Sequence, residues 1–364
     1  MPYDQIDPGR IRVRPLAERR SFISIEQASL DPSADPPDPG AMRGQIDRLA
    51  DRINQAHARG ASVMLVYGAH VIKNGCGRLI NALLETGKIT HLATQGAGII
   101  HDWEFAYLGR SSESVRDNTP KGEFGTWDET GRYLNLAVLV GAAEGLGFGE
   151  AVGRMVCEDG LTLPDPAELT HQITSDPTHP LTAARADLLQ AMTRFGLGPG
   201  RLEVPHPYKD YTVLAGSYRQ RIPLTVHPGI GYDIITNHPM FHGGAIGRTS
   251  DTDTRIFGHG VLNLSGGVYL SVGSAIMSPQ VFEKAMSLAN NLLRQEGRRV
   301  EGHHIAVVDI QDGGGWDWTR GEPPRDSPAY YLRFCKSFSR MGGEMDYLCG
   351  DNRVVLAGLL HRLK

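Results

Sequence analysis

Cysteine is scarce in these 364 residues, and its four occurrences (Cys76, Cys157, Cys335, Cys349) lie far apart with no CxxC pair. That spacing excludes a zinc knuckle and a disulfide framework, so a reducing, cytoplasmic setting is the plain expectation. Long apolar runs are missing as well. The most apolar stretch, residues 134–157 (LNLAVLVGAAEGLGFGEAVGRMVC), contains Glu144, Glu150 and five glycines and reads as a tightly packed helix, not a membrane span. The opening MPYDQIDPGRIRVRP has no signal-peptide apolar core. An excess of one charge is also lacking. A net charge of −4 gives no electrostatic case for nucleic acid, and Arg10, Arg12, Arg14, Arg19 and Arg20 read as a solvated basic arm. What remains, 40% hydrophobic residues, 21% charged residues and 44 glycines, is the composition of a soluble, globular, enzyme-like chain.

The most informative stretch is residues 62–109, where a strand, a glycine turn and a helix occur twice in succession. SVMLVY (62–67) is an apolar, partly β-branched run ending at Gly68-Ala69-His70, and Ile72, Leu79, Ile80, Leu83 and Leu84 then recur at helical spacing. ITHLAT (89–94) runs into Gln95-Gly96-Ala97-Gly98 and the helical segment IIHDWEFAYL. Such units build a parallel α/β sheet, and glycines at the carboxyl ends of strands let a ligand approach the backbone. The polar residues clustered there are His70, Lys73, Asn74, Thr94, Gln95, His101, Asp102 and Glu104.

Residues 1–41 read as an arm, since LDPSADPPDPGA holds neither helix nor sheet ladder, and residues 42–364 as one domain. A helix over 42–58 leads into the first strand. The polar segment 110–133 is too long for an ordinary connection and reads as a lid or as plain surface. Residues 159–182 read as a proline-rich connector, followed by a helix over 182–195. Further strands are expected at 221–226, 268–272 and 304–310, with helices at 249–264, after Ser278-Pro279, and at 352–363. Alternation to the end predicts an α/β fold: a Rossmann-like parallel sheet with helices on both faces.

Taken in order, the segments VYGAHVIKNGCGRLINALLETGKITHLATQGAGIIHDWE, IPLTVHPGIGYDII, VYLSVGSAI, HIAVVDIQDGGGWD and MDYLCGDNRVVLAGLLHRL resemble deoxyhypusine synthase over roughly residues 45–364. The resemblance implies a fold related to the sirtuins, NAD as cofactor and a homotetramer. The sequence departs from that family where its chemistry lies. The imine-forming lysine falls on Leu270 or Met277, neither of which forms a Schiff base. The family's adjacent glutamates fall on Ile100 and His101, with Asp102 retained, and its Thr-Asp-Gly triplet falls on His227-Pro228-Gly229, with Asp233 downstream. Loss of the paired carboxylates removes the case for a polyamine substrate.

The cofactor is therefore expected at His70, Asn74, Thr94, Gln95, Gly96, Ala97 and Gly98, with Gly273, Ser274, Asp309, Asp312 and Asp317 closing over it and Trp316 stacking. His101 or His227 is the expected base, Asp102 or Asp233 the orienting acid, and Lys73 a nucleophile or phosphate clamp. His238 and His242 invite a metal, but Pro-Met-Phe between them breaks a helical His-x-x-x-His face and none is assigned. Three functions stay open: an NAD-dependent enzyme oxidising or transferring a small molecule, a non-redox transferase or sirtuin-like cleavage, and a nucleotide sensor without turnover. The small, nearly uncharged 134–157 segment is expected to pack against another subunit.

Overall fold

A computed structural model describes residues 3–364. Its centre is a six-stranded sheet of β1 (Val63–Tyr67), β2 (His91–Gln95), β3 (Leu224–His227), β4 (Val268–Val272), β5 (His304–Asp309) and β6 (Glu344–Cys349). Every pairing is parallel and the order is β6-β5-β4-β1-β2-β3. Chain order therefore reverses between β1 and β4, and in such sheets that reversal opens a crevice outside the carboxyl ends of the two strands.

Period-2 alternation explains the layers. Val63, Leu65 and Tyr67 join one apolar cluster, while Met64 and Val66 between them join the other. The first cluster is closed by the helices Arg43–Ala58, Gly77–Glu85, Gly96–Leu108 and Asn352–Leu363, the second by Gly243–Leu262, Met277–Arg294 and Arg333–Ser339. Burial on both faces is why all five β1 residues are apolar and inaccessible, each such side chain contributing roughly 1.5–3 kcal/mol of transfer free energy.

Four sequence expectations change here. Residues 134–157 are not one helix but parts of two, Asp128–Glu144 and Phe148–Cys157, bent by 114° at the Gly145–Gly147 break. Their small residues pack within the chain, Gly141 against Ala151 and Gly149 against the Leu224 carbonyl, so this surface is not left open for a second subunit. No single helix among the described residues is long and apolar enough to cross a membrane; that bent pair passes only when taken together. The 159–182 segment is no mere connector either. Gly160–Leu163 pairs with Gly200–Glu203, and Asp165 caps a helix, Pro166–Ser175, that has proline in its first turn.

The arm and the 110–133 segment form one unit. Ile23–Ser24 pairs antiparallel with Arg110–Ser111, Arg14 bridges to Trp127, and Arg14 also pairs with Glu123. The basic cluster is not wholly solvated: Arg19 and Glu104 face each other with side chains 2% and 1% exposed.

Candidate active site

Both glycine turns predicted to meet a ligand lie at the crevice side of the sheet, but their surroundings differ. At the end of β1, Gly68 lies so close to the turn after β4 that a Cβ would fall 1.9 Å from the Gly273 carbonyl oxygen. Only glycine permits that approach, and it brings the two strand ends at the switch point together. No side chain caps the Gly68-Ala69-His70 turn, and a Cβ at Gly273, where φ is +59°, would stand 3.8 Å from Val71 Cγ2, an ordinary contact. Ser274 instead accepts the N–H of Ser278 and holds the start of the next helix.

At the end of β2, the N-terminus of the Gly96–Leu108 helix is already engaged. The Asp233 carboxylate, arriving from the loop after β3, accepts the N–H of Ala97 and, at 2.7 Å, that of Gly229. It lies where a Gly96 Cβ would be, 2.1 Å from that position. Gly96 and Gly98 thus serve close packing against Asp233 and Thr94, and the Ala97 N–H is taken by Asp233, which corrects their assignment as a phosphate cradle; Ala97 still lines the cavity described below. Thr94 is fully buried and donates to the Tyr67 carbonyl, so it does not face a ribose. Gln95 stays half-buried at the strand end, 3.4 Å from Thr94 Oγ1. Asn74 donates to Asn352 Oδ1 at 3.2 Å and ties the first unit to the last helix instead of meeting a ligand.

Asp102 is corrected likewise. It is buried beneath the crevice and accepts the N–H groups of Val213 (3.3 Å) and Leu214 (2.8 Å), capping the Val213–Arg219 helix. Asp253, which the sequence reading passed over, does the same for Phe148–Cys157 through Phe148 and Gly149 and also accepts from Val226. Three helices near the sheet thus take their N-cap from a distant aspartate, while their own N-cap residues (Gln95, Gly147, Thr212) make no side-chain cap bond. Burial pushes Asp102 and Asp253 up to about 7 and Asp233 to about 6, against the N–H groups that favour ionisation.

Over the carboxyl ends of β1, β2 and β3 lies a cavity of about 250 Å³. It brings together five residues singled out from the sequence, Lys73, Ala97, His101, Glu104 and Asp233, with Arg19 and the apolar Ile100, Phe124 and Ile234. Its polar wall is a buried chain of hydrogen bonds. Arg19 grips Glu104 through two nitrogens, at 2.6 and 2.9 Å, and Thr130 donates to the same carboxylate at 3.0 Å. Ser111 donates to Glu104 at 2.6 Å, and His101 Nδ1 stands 2.7 Å from Ser111 Oγ. An ionised carboxylate only accepts, so the Ser111 proton points to Glu104 and the Ser111 lone pair faces His101. His101 accordingly carries its proton on Nδ1 and presents an unprotonated Nε2. Burial works against ionised Glu104, but Arg19, His101 and Ser111 outweigh it and hold the carboxyl below its usual range. Burial also draws His101 down to about 4, opposed by Glu104, so the ring is neutral near pH 7.

Lys73 is not a solvated first-turn lysine. It ends the short helix Ala69–Lys73, half-buried, and burial pulls its pKa below the ordinary value. His70 beside it is exposed, its pKa lowered by partial burial and by Lys73, with Asp309 opposing. Its ring therefore lies in the fields of both the cavity lysine and the end of β5.

His227 ends β3, but its ring packs edge-on to Phe257 at 5.1 Å and burial lowers it to about 4. It is not among the residues that line the cavity. Asp312 accepts the Gly314 N–H and Asp317 those of Thr319, so both acids shape their own loop, and Arg320 covers the Trp316 ring at 5.2 Å. Those engagements correct the acidic loop's expected wrapping of an adenosine; Asp309 alone is placed beside the crevice. His238 faces Asp128 and His242 caps its helix through the Ala245 N–H. Among the described residues no group of three or more His, Cys, Asp or Glu is gathered for a metal. A cavity of about 850 Å³ lies elsewhere, on a surface where Arg219 pairs with Asp210 and Lys88 donates to the Leu363 carbonyl.

The sequence reading missed Arg19, Ser111 and Thr130. Only the oddity of a serine and a threonine flanking a charged, glycine-rich segment hinted at them, because their partner Glu104 is 85 residues from Arg19.

The strand order, the all-parallel pairing and the crevice at the switch point define a Rossmann-like, doubly wound α/β protein. No family model and no curated protein matches the chain. Among solved structures it is similar to apo ArgZ, an arginine dihydrolase from the ornithine–ammonia cycle in cyanobacteria, at 13% identity and TM-score 0.42, covering 88% of this chain and 32% of that one. It is similar to a LOR/SDH protein from Methanococcus maripaludis S2 at 13% identity and TM-score 0.42, covering 92% and 73%. Unliganded AgrE gives 14% identity and TM-score 0.43, covering 88% and 32%; a further AgrE structure is a ternary complex with ornithine and NAD+. This chain spans about a third of the ArgZ and AgrE chains. At such distances neither their residues nor their ligands transfer.

Proposed function

We propose that this chain is an NAD-dependent enzyme that oxidises a small molecule, with His101 as the base. The observation that carries the reading is the Arg19–Glu104–Ser111–His101 chain, which fixes a neutral imidazole with an available Nε2 at a cavity over the strand ends. Glu104 and Ser111 are positioning residues: they set the tautomer and hold the ring, and Arg19 keeps Glu104 ionised. A proton leaving a substrate hydroxyl or amine passes to Nε2, and the growing positive charge on the ring is stabilised through Ser111 by Glu104.

The residues at the β1–β4 junction fit a dinucleotide in one respect, the uncapped Gly68-Ala69-His70 turn. They depart in one, since Gln95 stands at the end of β2 where an acid would bind ribose hydroxyls. When bound, a nicotinamide ring supplies the hydride acceptor. The pyrophosphate belongs at the β1 turn in this reading, because Asp233 holds the β2 turn.

In this reading the resemblance to deoxyhypusine synthase does not extend to aminobutyl transfer. Leu270 is fully buried inside β4, and Met277 opens the next helix packed against the core, so neither position offers an amine.

The test is His101→Gln. Thermal-shift titration with NAD should raise the melting temperature of wild type and variant alike. Reduction of NAD across a panel of small alcohols and amines should fall by about 10²- to 10⁴-fold in the variant. Release of free nicotinamide in place of reduced cofactor would replace oxidation with bond cleavage.

A further inference from the structure

The cavity beside His101 holds a lysine that the proposed proton transfer does not use. Its acids are all engaged. Glu104 is held by Arg19, Ser111 and Thr130. Glu113 accepts from Asn118 Nδ2 (2.6 Å), Trp127 Nε1 (2.8 Å) and the Gly125 N–H (3.2 Å), and Asp233 caps the Gly96 helix. Arg19 in turn is used up by Glu104. Among the described charged residues lining the cavity, only Lys73 has neither a hydrogen bond nor an ion pair. An ammonium half withdrawn from water with no hydrogen-bonding partner is unfavourable, and a ligand carboxylate would supply that partner.

We propose that this cavity recognises a small organic anion, a carboxylate of the size of a short hydroxy or oxo acid. The carboxylate pairs with Lys73 Nζ, and the remainder of the molecule lies against Ile100, Phe124 and Ile234 within reach of His101. The volume of about 250 Å³ is roughly eight water molecules' worth, enough for such an acid and too small for a dinucleotide. The charge on Lys73 is felt at His101, so a bound carboxylate would also remove a neighbouring positive charge that opposes protonation of the base. This inference rests on the cavity being the substrate site of the proposed enzyme.

The experiment is isothermal titration of the full chain and of Lys73→Gln and Lys73→Arg with L-lactate, L-malate and 2-oxobutyrate, against 1,2-propanediol and putrescine. NAD is titrated into the same samples. Binding of at least one carboxylate to wild type, weakened roughly 10- to 100-fold in Lys73→Gln and retained in Lys73→Arg, is the expected result. An unchanged NAD response shows that Lys73→Gln is folded. Preference for putrescine or the diol, equal carboxylate binding in Lys73→Gln, or no response to any carboxylate would each overturn the proposal. Carboxylate binding through Lys73 with no NAD response would leave the anion site standing and remove the cofactor reading.

Discussion

The carboxyl ends of β1 and β2 are written in the same vocabulary, a buried apolar strand followed by glycine, alanine and a helix, yet they do opposite things. At β2 the first-turn N–H groups of the helix are satisfied by Asp233, and the wall beside them is a closed set of hydrogen bonds ending in Arg19. At β1 the turn is uncapped, and the neighbouring lysine has no partner. A glycine after a strand marks a close approach, but what approaches is decided by residues far away in the sequence. At β2 it is the protein's own carboxylate. At β1 it is the Gly273 carbonyl.

Acid should break both ends at once and give the largest effect. His91 is held near 3, and His101, His206, His227, His238 and His303 near 4, all chiefly by burial, against an ordinary value of 6.5. Between pH 6.5 and about 4 the unfolded chain therefore binds more protons at these rings than the folded one, and stability falls as the pH falls. Asp102, Asp233 and Asp253 are raised and work in the opposite direction, but the lowered imidazoles outnumber them. The denaturant midpoint should decline steadily from pH 6.5 to 4.5; a flat profile would contradict the buried, neutral assignment of these rings.

Next in size is Arg19→Ala, which leaves the Glu104 charge buried and unpaired and should cost about 3–5 kcal/mol in chemical denaturation. Arg19→Met combined with Glu104→Gln should recover part of that loss. Gly68→Ala should cost roughly 1–3 kcal/mol, because its Cβ falls on a carbonyl oxygen and not on a yielding side chain, and it should abolish stabilisation by NAD. Asp233→Ala should cost about 1 kcal/mol as a lost N-cap while leaving the NAD response in place; if that response vanished instead, the cofactor would sit at β2 after all. Smallest is Lys73→Met, expected within about 0.5 kcal/mol of wild type because no native interaction is lost.

Much of the architecture was legible from local pattern. The two strand–glycine–helix units, the 182–195 and 352–363 helices and the strands that became β3, β4 and β5 are short-range signals, and the sheet fold follows from their alternation. β6 was not seen as a strand. Its run, EMDYLC, mixes charge with apolar residues, because as an edge strand it leaves Glu344 and Cys349 exposed. The break at Gly145–Gly147 was hidden by uniform small-residue composition, since the first helix is buried over most of its length and the second is apolar except for exposed Glu150 and half-buried Arg154 and Cys157. At the site, Lys73, His101 and Asp233 were picked out because chemistry-bearing side chains near strand ends are few. Asp102, Thr94 and Asn74 were picked out on the same ground and proved structural, for the direction of a side chain depends on where segments over a hundred residues away are placed. Arg19 could not be found at all from its neighbours, which are arginines on an arm.

That arginine has a bearing on how the chain is made. It leaves the ribosome 85 residues ahead of Glu104, which at typical elongation rates of about 5–20 residues per second is an interval on the order of ten seconds. Through that interval the arm has nothing to close against, and it folds onto the body only after the β2 unit and the 110–133 segment have been synthesised. A segment synthesised ahead of the sheet is thus among the last parts to be fastened, and its closing step waits on residues made well after it.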